Sequence, residues 1–358
     1  MFNPKTTKED LLLESYDYEL PKELIAQEAI EPRDASRLLV IFNDGIWHTT
    51  FKSIIHFLNQ GDVLVMNNSR VLKTKLIGRK ATGGRATITL IKKLSSKTWL
   101  SFVHCKNPKI GTKLIFFGEN ENLNATIIQK DEKRFILEFE KPIEDFLSRY
   151  GHYTLPPYIK KELKNEERYQ TIYAKEAGSL ASPTAGLHFT KTLLDEIKNR
   201  GVKIAFVTLN VGLGTFEPVI TNNILEHRMH VEQFKVTKEN AEIINNAKRL
   251  IVVGTTSLRV LESLNKIDET ISQTGIFIYP GYKFKHKYYG LITNFHLPRS
   301  TLIMLVSAIV GRERILKIYK RAVELKYRFF SLGDATFIVD DSIQNFENIH
   351  KNQNIELI

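Results

Sequence analysis

The chain has 358 residues, 42% of them hydrophobic and 25% charged, with 51 Lys and Arg against 40 Asp and Glu for a formal net charge of +11. That size and balance describe a globular chain with a large core and about two domains, and they exclude a disordered or fibrous protein. Cys105 is the sole cysteine, which excludes an internal disulfide and any zinc site built from several Cys ligands.

Along the first 70 residues, short strands are predicted at Leu38–Phe42 and Asp62–Met66, with an amphipathic helix near Phe51–Asn59 between them. From Val71 the texture changes. Short β-rich runs at 75–78, 86–91, 98–103, 113–117, 125–128 and 134–139 alternate with turn signals at Gly83-Gly84, Asn107-Pro108, Gly118 and Asp131. Regular short strands joined by hairpin turns predict a small antiparallel β-barrel inserted at 71–155. After Pro157, strands are predicted at Lys203–Leu209, Leu250–Val253 and Gly275–Tyr279, and helices at Lys191–Asn199, Lys238–Lys248, Ser257–Leu264, Thr301–Val310 and Arg312–Leu325. That alternation predicts an α/β fold, a large domain with a mixed sheet assembled from 1–70 and 156–340. The Asn-rich polar tail, 341–358, is expected to be loosely ordered. The longest apolar run, near Leu302–Val310, is far short of the roughly 20 residues a membrane span needs. No apolar signal region follows the charged first residues, so a cytoplasmic protein is expected. Without heptads or an apolar interface stripe, a monomer is expected.

The run Ser179-Leu-Ala-Ser-Pro-Thr-Ala-Gly-Leu-His-Phe189 is the densest in chemistry. Small residues let backbone approach a ligand, and a His exchanges protons near neutral pH. Ordinary loops share that composition. Val253-Gly-Thr-Thr-Ser-Leu-Arg259 follows a strand and opens a helix, an arrangement that suits a carboxylate or phosphate but equally serves simple capping. Gly212-Leu-Gly-Thr-Phe216 lacks the third glycine of a dinucleotide fingerprint, and a turn is an equal reading. His227 and His230 lie three apart beside Glu226 and Glu232. On one helical face they form a polar pocket or a surface pair. A metal centre is not expected, because no third ligand stands at a defined spacing. Thr293-Asn-Phe-His-Leu-Pro298 leads from a strand into a helix. Tyr279-Pro-Gly281 and Tyr327-Arg-Phe-Phe330 add aromatic or cationic candidates for which core packing is the competing reading. Arg79, Lys80, Arg85, Lys92 and Lys93 cluster in the barrel, as a solvated face or an RNA contact.

Taken in order, these blocks resemble the S-adenosylmethionine:tRNA ribosyltransferase-isomerases of queuosine biosynthesis. Glu226-His-Arg-Met-His-Val-Glu232, Ile276-Phe-Ile-Tyr-Pro-Gly281 and Tyr327–Asp334 also match, as do Tyr18-Glu-Leu-Pro21, Arg33, Ser36-Arg-Leu38 and Gly61–Arg70 nearer the N-terminus. The resemblance covers nearly the whole chain. It implies an α/β domain carrying a β-barrel, and transfer and isomerisation of the ribosyl unit of S-adenosylmethionine onto 7-aminomethyl-7-deazaguanine at the tRNA wobble position. Adenine and methionine leave and epoxyqueuosine remains. S-adenosylmethionine is then a substrate, and no metal or redox cofactor is needed. On this footing His188, His296 and His230 are the candidates for proton transfer, in that order. Pro183, Thr184, Gly186, Gly212, Gly214, Thr215, His227, Thr255, Thr256, Arg259, Tyr279, Asn294 and Arg328 are the candidates for substrate binding. The chain departs from the family pattern at Asn210, where the family has His, and at Leu213, where it has Ala. Two other readings compete, a non-catalytic tRNA-binding protein and a methyltransferase. The latter lacks the glycine-rich loop expected after the first strand.

Overall fold

The computed structural model describes residues 4–212, 214, 218–340 and 356–357. The chain divides into two compact units, Met1–Arg70 with Pro157–Ile358, and Val71–Pro156.

In chain order the strands are β1 (Arg37–Ile41), β2 (Gly45–Thr50), β3 (Asp62–Asn67) and the short β4 (Ser69–Val71). The barrel strands follow as β5 (Lys73–Lys80), β6 (Gly83–Lys93), β7 (Thr98–His104), β8 (Lys113–Phe117), β9 (Asn122–Asp131) and β10 (Arg134–Phe139), with the two-residue β11 (His152–Tyr153) beyond. The larger unit resumes with β12 (Glu176–Ser179), β13 (Lys203–Leu209), β14 (Glu232–Val236), β15 (Arg249–Val253), β16 (Thr270–Thr274), β17 (Gly290–Asn294), β18 (Ala335–Val339) and β19 (Glu356–Leu357). The α-helices are α1 (Glu144–Tyr150), α2 (Lys191–Asn199), α3 (Lys238–Asn245), α4 (Thr255–Glu262), α5 (Thr301–Val310) and α6 (Arg312–Glu324).

The large sheet runs β16-β14-β13-β3-β15-β17-β18-β1-β2-β19. Its centre is parallel, β13 and β15 flanking β3 and β17 beside β15. Towards β16 the pairing is antiparallel; towards β19 it alternates, β17 with β18 antiparallel, β18 with β1 parallel, and β1 with β2 antiparallel. Alternate residues of one strand feed opposite cores, as the two-residue period of a strand requires. Leu39 and Ile41 of β1, with Val63 and Val65 of β3, join the core under α3 to α6. Leu38 and Val40, with Leu64 and Met66, join the core under α2 and the segment Phe51–Phe57. β2, β14, β18 and the short β4, β11, β12 and β19 have no counterpart among the expected strands, β17 is the strand expected without bounds ahead of Thr293, and the strand expected at Gly275–Tyr279 lies at Thr270–Thr274. Thr274 Oγ1 accepts from the Ile276 amide at 3.1 Å, and this turns the chain out of the sheet at that point. The helix expected near Phe51 is 3-10 rather than α, spanning Phe51–Phe57. The expected loose tail lies outside the described residues except for Glu356 and Leu357, which pair antiparallel with Ile46 and Gly45.

In the smaller unit β5 to β10 close a six-stranded antiparallel barrel. β5 pairs with both β6 and β8, completing the ring β5-β6-β7-β10-β9-β8. Leu76, Ile88, Leu114, Phe116, Leu123 and Leu137 fill its interior. Arg79, Arg85, Lys92 and Lys93 are exposed on it, and the Arg79 guanidinium lies over the Phe117 ring at 4.6 Å.

Candidate active site

Ligands of open α/β sheets bind beyond the carboxyl ends of the strands. Three such ends meet in the larger unit: those of β13, β15 and β17. The loops that follow them wall a cleft of about 850 Å³ together with residues 181–185.

Beyond β15 the backbone turns at Gly254 with φ +85°, a conformation side-chain-bearing residues rarely adopt. α4 starts at once, so its first N–H groups and partial positive charge face the cleft. Thr256 Oγ1 is buried there with no hydrogen-bond partner among the described residues. One turn on, Arg259 donates from Nη1 to Glu232 Oε2 at 2.6 Å, with 7% and 5% of the two side chains exposed. Glu232 Oε1 accepts from the Gly212 amide at 2.9 Å. The pair is therefore rigid, yet Arg259 Nε and Nη2 are buried without a partner among the described residues. Leaving such donors unmatched costs about 1–3 kcal/mol each.

Residues 181–185 form the opposite wall. Ser179 Oγ donates to the Ala181 carbonyl at 2.6 Å and accepts from the Val211 amide at 2.9 Å, tying this wall to the chain after β13. Thr184 Oγ1 donates to Asn294 Oδ1 at 3.0 Å. The Asn294 amide nitrogen donates to His188 Nε2 and to the Phe330 carbonyl, both at 3.2 Å. The carbonyl fixes which way the amide faces. His188 Nε2 is thus an acceptor, its proton sits on Nδ1, and Nδ1 donates to Ser36 Oγ at 2.7 Å. Burial, followed by the Arg168, Arg33 and Arg328 charges, depresses the His188 pKa to about 3, and its ring stacks on Phe51 at 4.9 Å. His296 lies on the cleft wall itself. Its Nε2 is 3.1 Å from Thr293 Oγ1, and burial lowers its pKa to about 3. Both imidazoles are neutral at physiological pH.

Pro183, Thr184, Gly214, His227, His230, Thr255, Thr256, Arg259, Asn294 and His296 come together in the cleft lining. Neither His227 nor His230 lies in a helix or strand, and the backbone at His227 is extended. The His227 ring meets Phe277 at 5.5 Å, and burial and the neighbouring His230 lower its pKa.

Other candidates stand away from the cleft lining. His188, the first candidate for proton transfer, lies behind the wall with both ring nitrogens engaged. Gly186 is required by packing, since a Cβ there would meet Tyr173 Oη at 2.0 Å. Gly212 contributes its amide to Glu232 rather than to the cleft. Tyr279 packs on Phe277 at 5.1 Å. Arg328 donates to the Glu28 carbonyl, away from the lining. Thr215 lies outside the described residues, as does Leu213. Asn210 does not line the cleft either. Its side chain rests against Gly178, and its backbone N–H donates to the Gln233 carbonyl at 2.9 Å. The sequence reading missed Ser36, Tyr158 and Phe330 as site residues and noted Glu232 only as a neighbour of the histidines. The register of β14 is what sets Glu232 opposite Arg259, and no local pattern announces it. Among the described residues no group of three or more His, Cys, Asp or Glu is placed to hold a metal ion, and no helix is long and apolar enough to cross a membrane.

A family model described as "Queuosine biosynthesis protein" matches residues 13–338. A relative from Desulforamulus reducens, named S-adenosylmethionine:tRNA ribosyltransferase-isomerase, is 48% identical over 91% of this chain and 99% of its own. One of the same name from Fusobacterium nucleatum is 49% identical over 91% and 96%. A crystal structure of S-adenosylmethionine tRNA ribosyltransferase from Thermotoga maritima superposes with a TM-score of 0.52 at 35% identity, covering 91% of this chain and all of that one.

Proposed function

The chain belongs to the queuosine biosynthesis protein family, and on that premise we propose that its cleft transfers and isomerises the ribosyl unit of S-adenosylmethionine onto tRNA. It acts as an S-adenosylmethionine:tRNA ribosyltransferase-isomerase. The acceptor is the aminomethyl group of 7-aminomethyl-7-deazaguanine at the wobble position, and the product is epoxyqueuosine-tRNA.

One observation carries the reading. Two buried nitrogens of Arg259, Nε and Nη2, have no hydrogen-bond partner among the described residues, and neither does the Thr256 hydroxyl beside them at the N-terminus of α4. Such a cradle suits the methionine carboxylate of the donor, which supplies charge-assisted acceptors for donors already desolvated. Glu232 fixes the guanidinium from behind.

The chemistry then needs a base for a C5′ proton acidified by the neighbouring sulfonium. The C5′ electron pair forms a C4′=C5′ bond as C4′–O4′ breaks, and the O4′ pair forms a C1′ carbonyl as the C1′–N bond breaks, so that adenine leaves and takes up a proton. The acceptor amine adds at C4′ and gives up a proton, the C5′ carbanion beside the sulfonium adds to the C1′ carbonyl, and the resulting alkoxide displaces methionine from C5′ as a neutral thioether, closing the epoxide. His296 is the first candidate for the base because it stands on the cleft wall, and substrate would have to raise its depressed pKa for it to serve. His230 stands next, on the same lining. His188 acts through Asn294 and Thr184 as a positioning residue. The net charge of +11 and the exposed barrel arginines and lysines suit a polyanionic partner. We take the protein to work as a cytoplasmic monomer with no metal or redox cofactor.

The test is incubation with S-adenosylmethionine and tRNA carrying the modified base. Adenine and methionine released in step with a nucleoside mass gain support the reading. Transfer of a methyl group, or tRNA binding without adenine release, defeats it.

A further inference from the structure

Tyr158 and Phe330 both line the cleft, and the mechanism above assigns neither a task. Their ring centroids are 4.4 Å apart at 48°. Phe330 has φ +74°, a conformation that a bulky side chain adopts only at a cost and that clusters at ligand sites. The preceding Phe329 is fully buried, whereas Phe330 is only partly so. The strained residue therefore carries a ring that packs on the core edge and lines the cleft.

The pair is held on every side. The Phe330 amide donates to the Phe295 carbonyl at 3.2 Å, and the Phe330 carbonyl accepts from Gly333 at 2.8 Å and from Asn294 at 3.2 Å. The Tyr158 hydroxyl bonds to Ser331 Oγ at 2.5 Å. The Tyr158 carbonyl accepts from Gln27 Nε2 at 2.9 Å. A hydroxyl so engaged leaves the ring face as the part of Tyr158 available to a ligand.

We infer that Tyr158 and Phe330 form a stacking platform for a planar purine-type ring of a substrate. Aromatic side chains hold bases by stacking, and a fixed pair does so without an ordering cost. A continuous set of contacts joins the platform to the carboxylate cradle. Phe330 is bound by Asn294, Asn294 by Thr184, and Ala185, the residue after Thr184, lies beside Gly254 at the start of α4. An elongated ligand lying along this wall would reach both ends. The inference rests on the ribosyl-transfer reading for its choice of ring, which is the adenine of the donor or the deazaguanine of the acceptor.

The test uses the full chain with Phe330→Gly, since glycine takes φ +74° freely and so offsets part of the packing lost with the ring; a cooperative melting transition shows that the variant is folded. Binding of S-adenosylhomocysteine and of methionine is measured by calorimetry, and KM is measured for the modified tRNA. About ten-fold or greater weakening is expected, from the usual worth of one base stack, with methionine affinity unchanged. Weakening confined to S-adenosylhomocysteine assigns the platform to adenine, and weakening confined to the tRNA assigns it to the acceptor base. Both values within two-fold of the parent overturn the inference, as does an equal loss for methionine, which marks a general collapse of the cleft. Phe330→Leu repeats the test with the packing volume kept and the aromatic face removed. If the parent protein releases no adenine at all, the ribosyl-transfer reading fails. The S-adenosylhomocysteine measurement still decides the platform.

Discussion

Two buried neutral imidazoles should make this fold sensitive to mild acid. His188 and His296 are 4% and 5% exposed, and each has its pKa lowered from the usual 6.5 to about 3. Below pH 6.5 the unfolded chain takes up protons that the folded chain refuses. Their contribution to stability is therefore complete above pH 6.5 and is lost as pH falls towards 3. Linkage gives about 2 kcal/mol per residue lost between pH 7.5 and 5, or roughly 4 kcal/mol for the two. At about 2–4 °C per kcal/mol for a unit of this size, the melting temperature should fall by roughly 10 °C. The assay is thermal unfolding at both pH values for the parent and for His188→Gln, whose side-chain oxygen can still accept from Asn294. The variant should lose about half as much between the two pH values, whatever its absolute stability. An equal loss in parent and variant would refute the neutral Nδ1–H assignment, and with it the picture of His188 as a fixed acceptor.

Three further outcomes follow from the same geometry. Arg259→Met should raise the donor KM by about 50-fold, from the loss of charge-assisted hydrogen bonds. It should also cost roughly 3–5 kcal/mol by stranding Glu232; Arg259→Met with Glu232→Gln should recover most of the stability and none of the donor binding, as read by melting and steady-state kinetics. Gly186→Ala should destabilise by about 1–3 kcal/mol through overpacking against Tyr173, seen in denaturant unfolding. Raising salt from about 50 to 200 mM should increase KM for tRNA at least ten-fold while leaving KM for the donor nearly unchanged, since phosphate contacts release counterions.

The barrel was legible because its strands alternate. In β9 the even-spaced Leu123, Ala125 and Ile127 are buried, and the Gly83-Gly84 turn signal stands where β6 begins. β18 was missed for the opposite reason. All five of its residues are buried, so it has no period to read. β16 is a polar edge strand, Thr-Ile-Ser-Gln-Thr, while the apolar stretch after it packs on the core without joining the sheet. At the site, the loops after β15 and β17 and the residues around Pro183 were legible as polar breaks between regular elements. Which histidine faces the cleft was not. His188 ends a 3-10 turn at Thr184–His188 and His296 stands in the loop after β17, and the contacts of His188 with Phe51 and Ser36 hold it inward.

The position of β3 has a consequence for how the protein is made. Residues 62–67 sit between strands drawn from 203–209 and 249–253, while 71–156 form a unit of their own. During synthesis the barrel can close from neighbouring segments as soon as it emerges. The strand ahead of it must wait, unpaired, for partners made some 140 residues later. Long-range parallel pairing is slow to nucleate, and waiting strands invite aggregation. Fragments ending before Leu209 should therefore contain a finished barrel beside an unfinished sheet, and expression strategies for this chain are best built around the intact polypeptide or the barrel, never the first half.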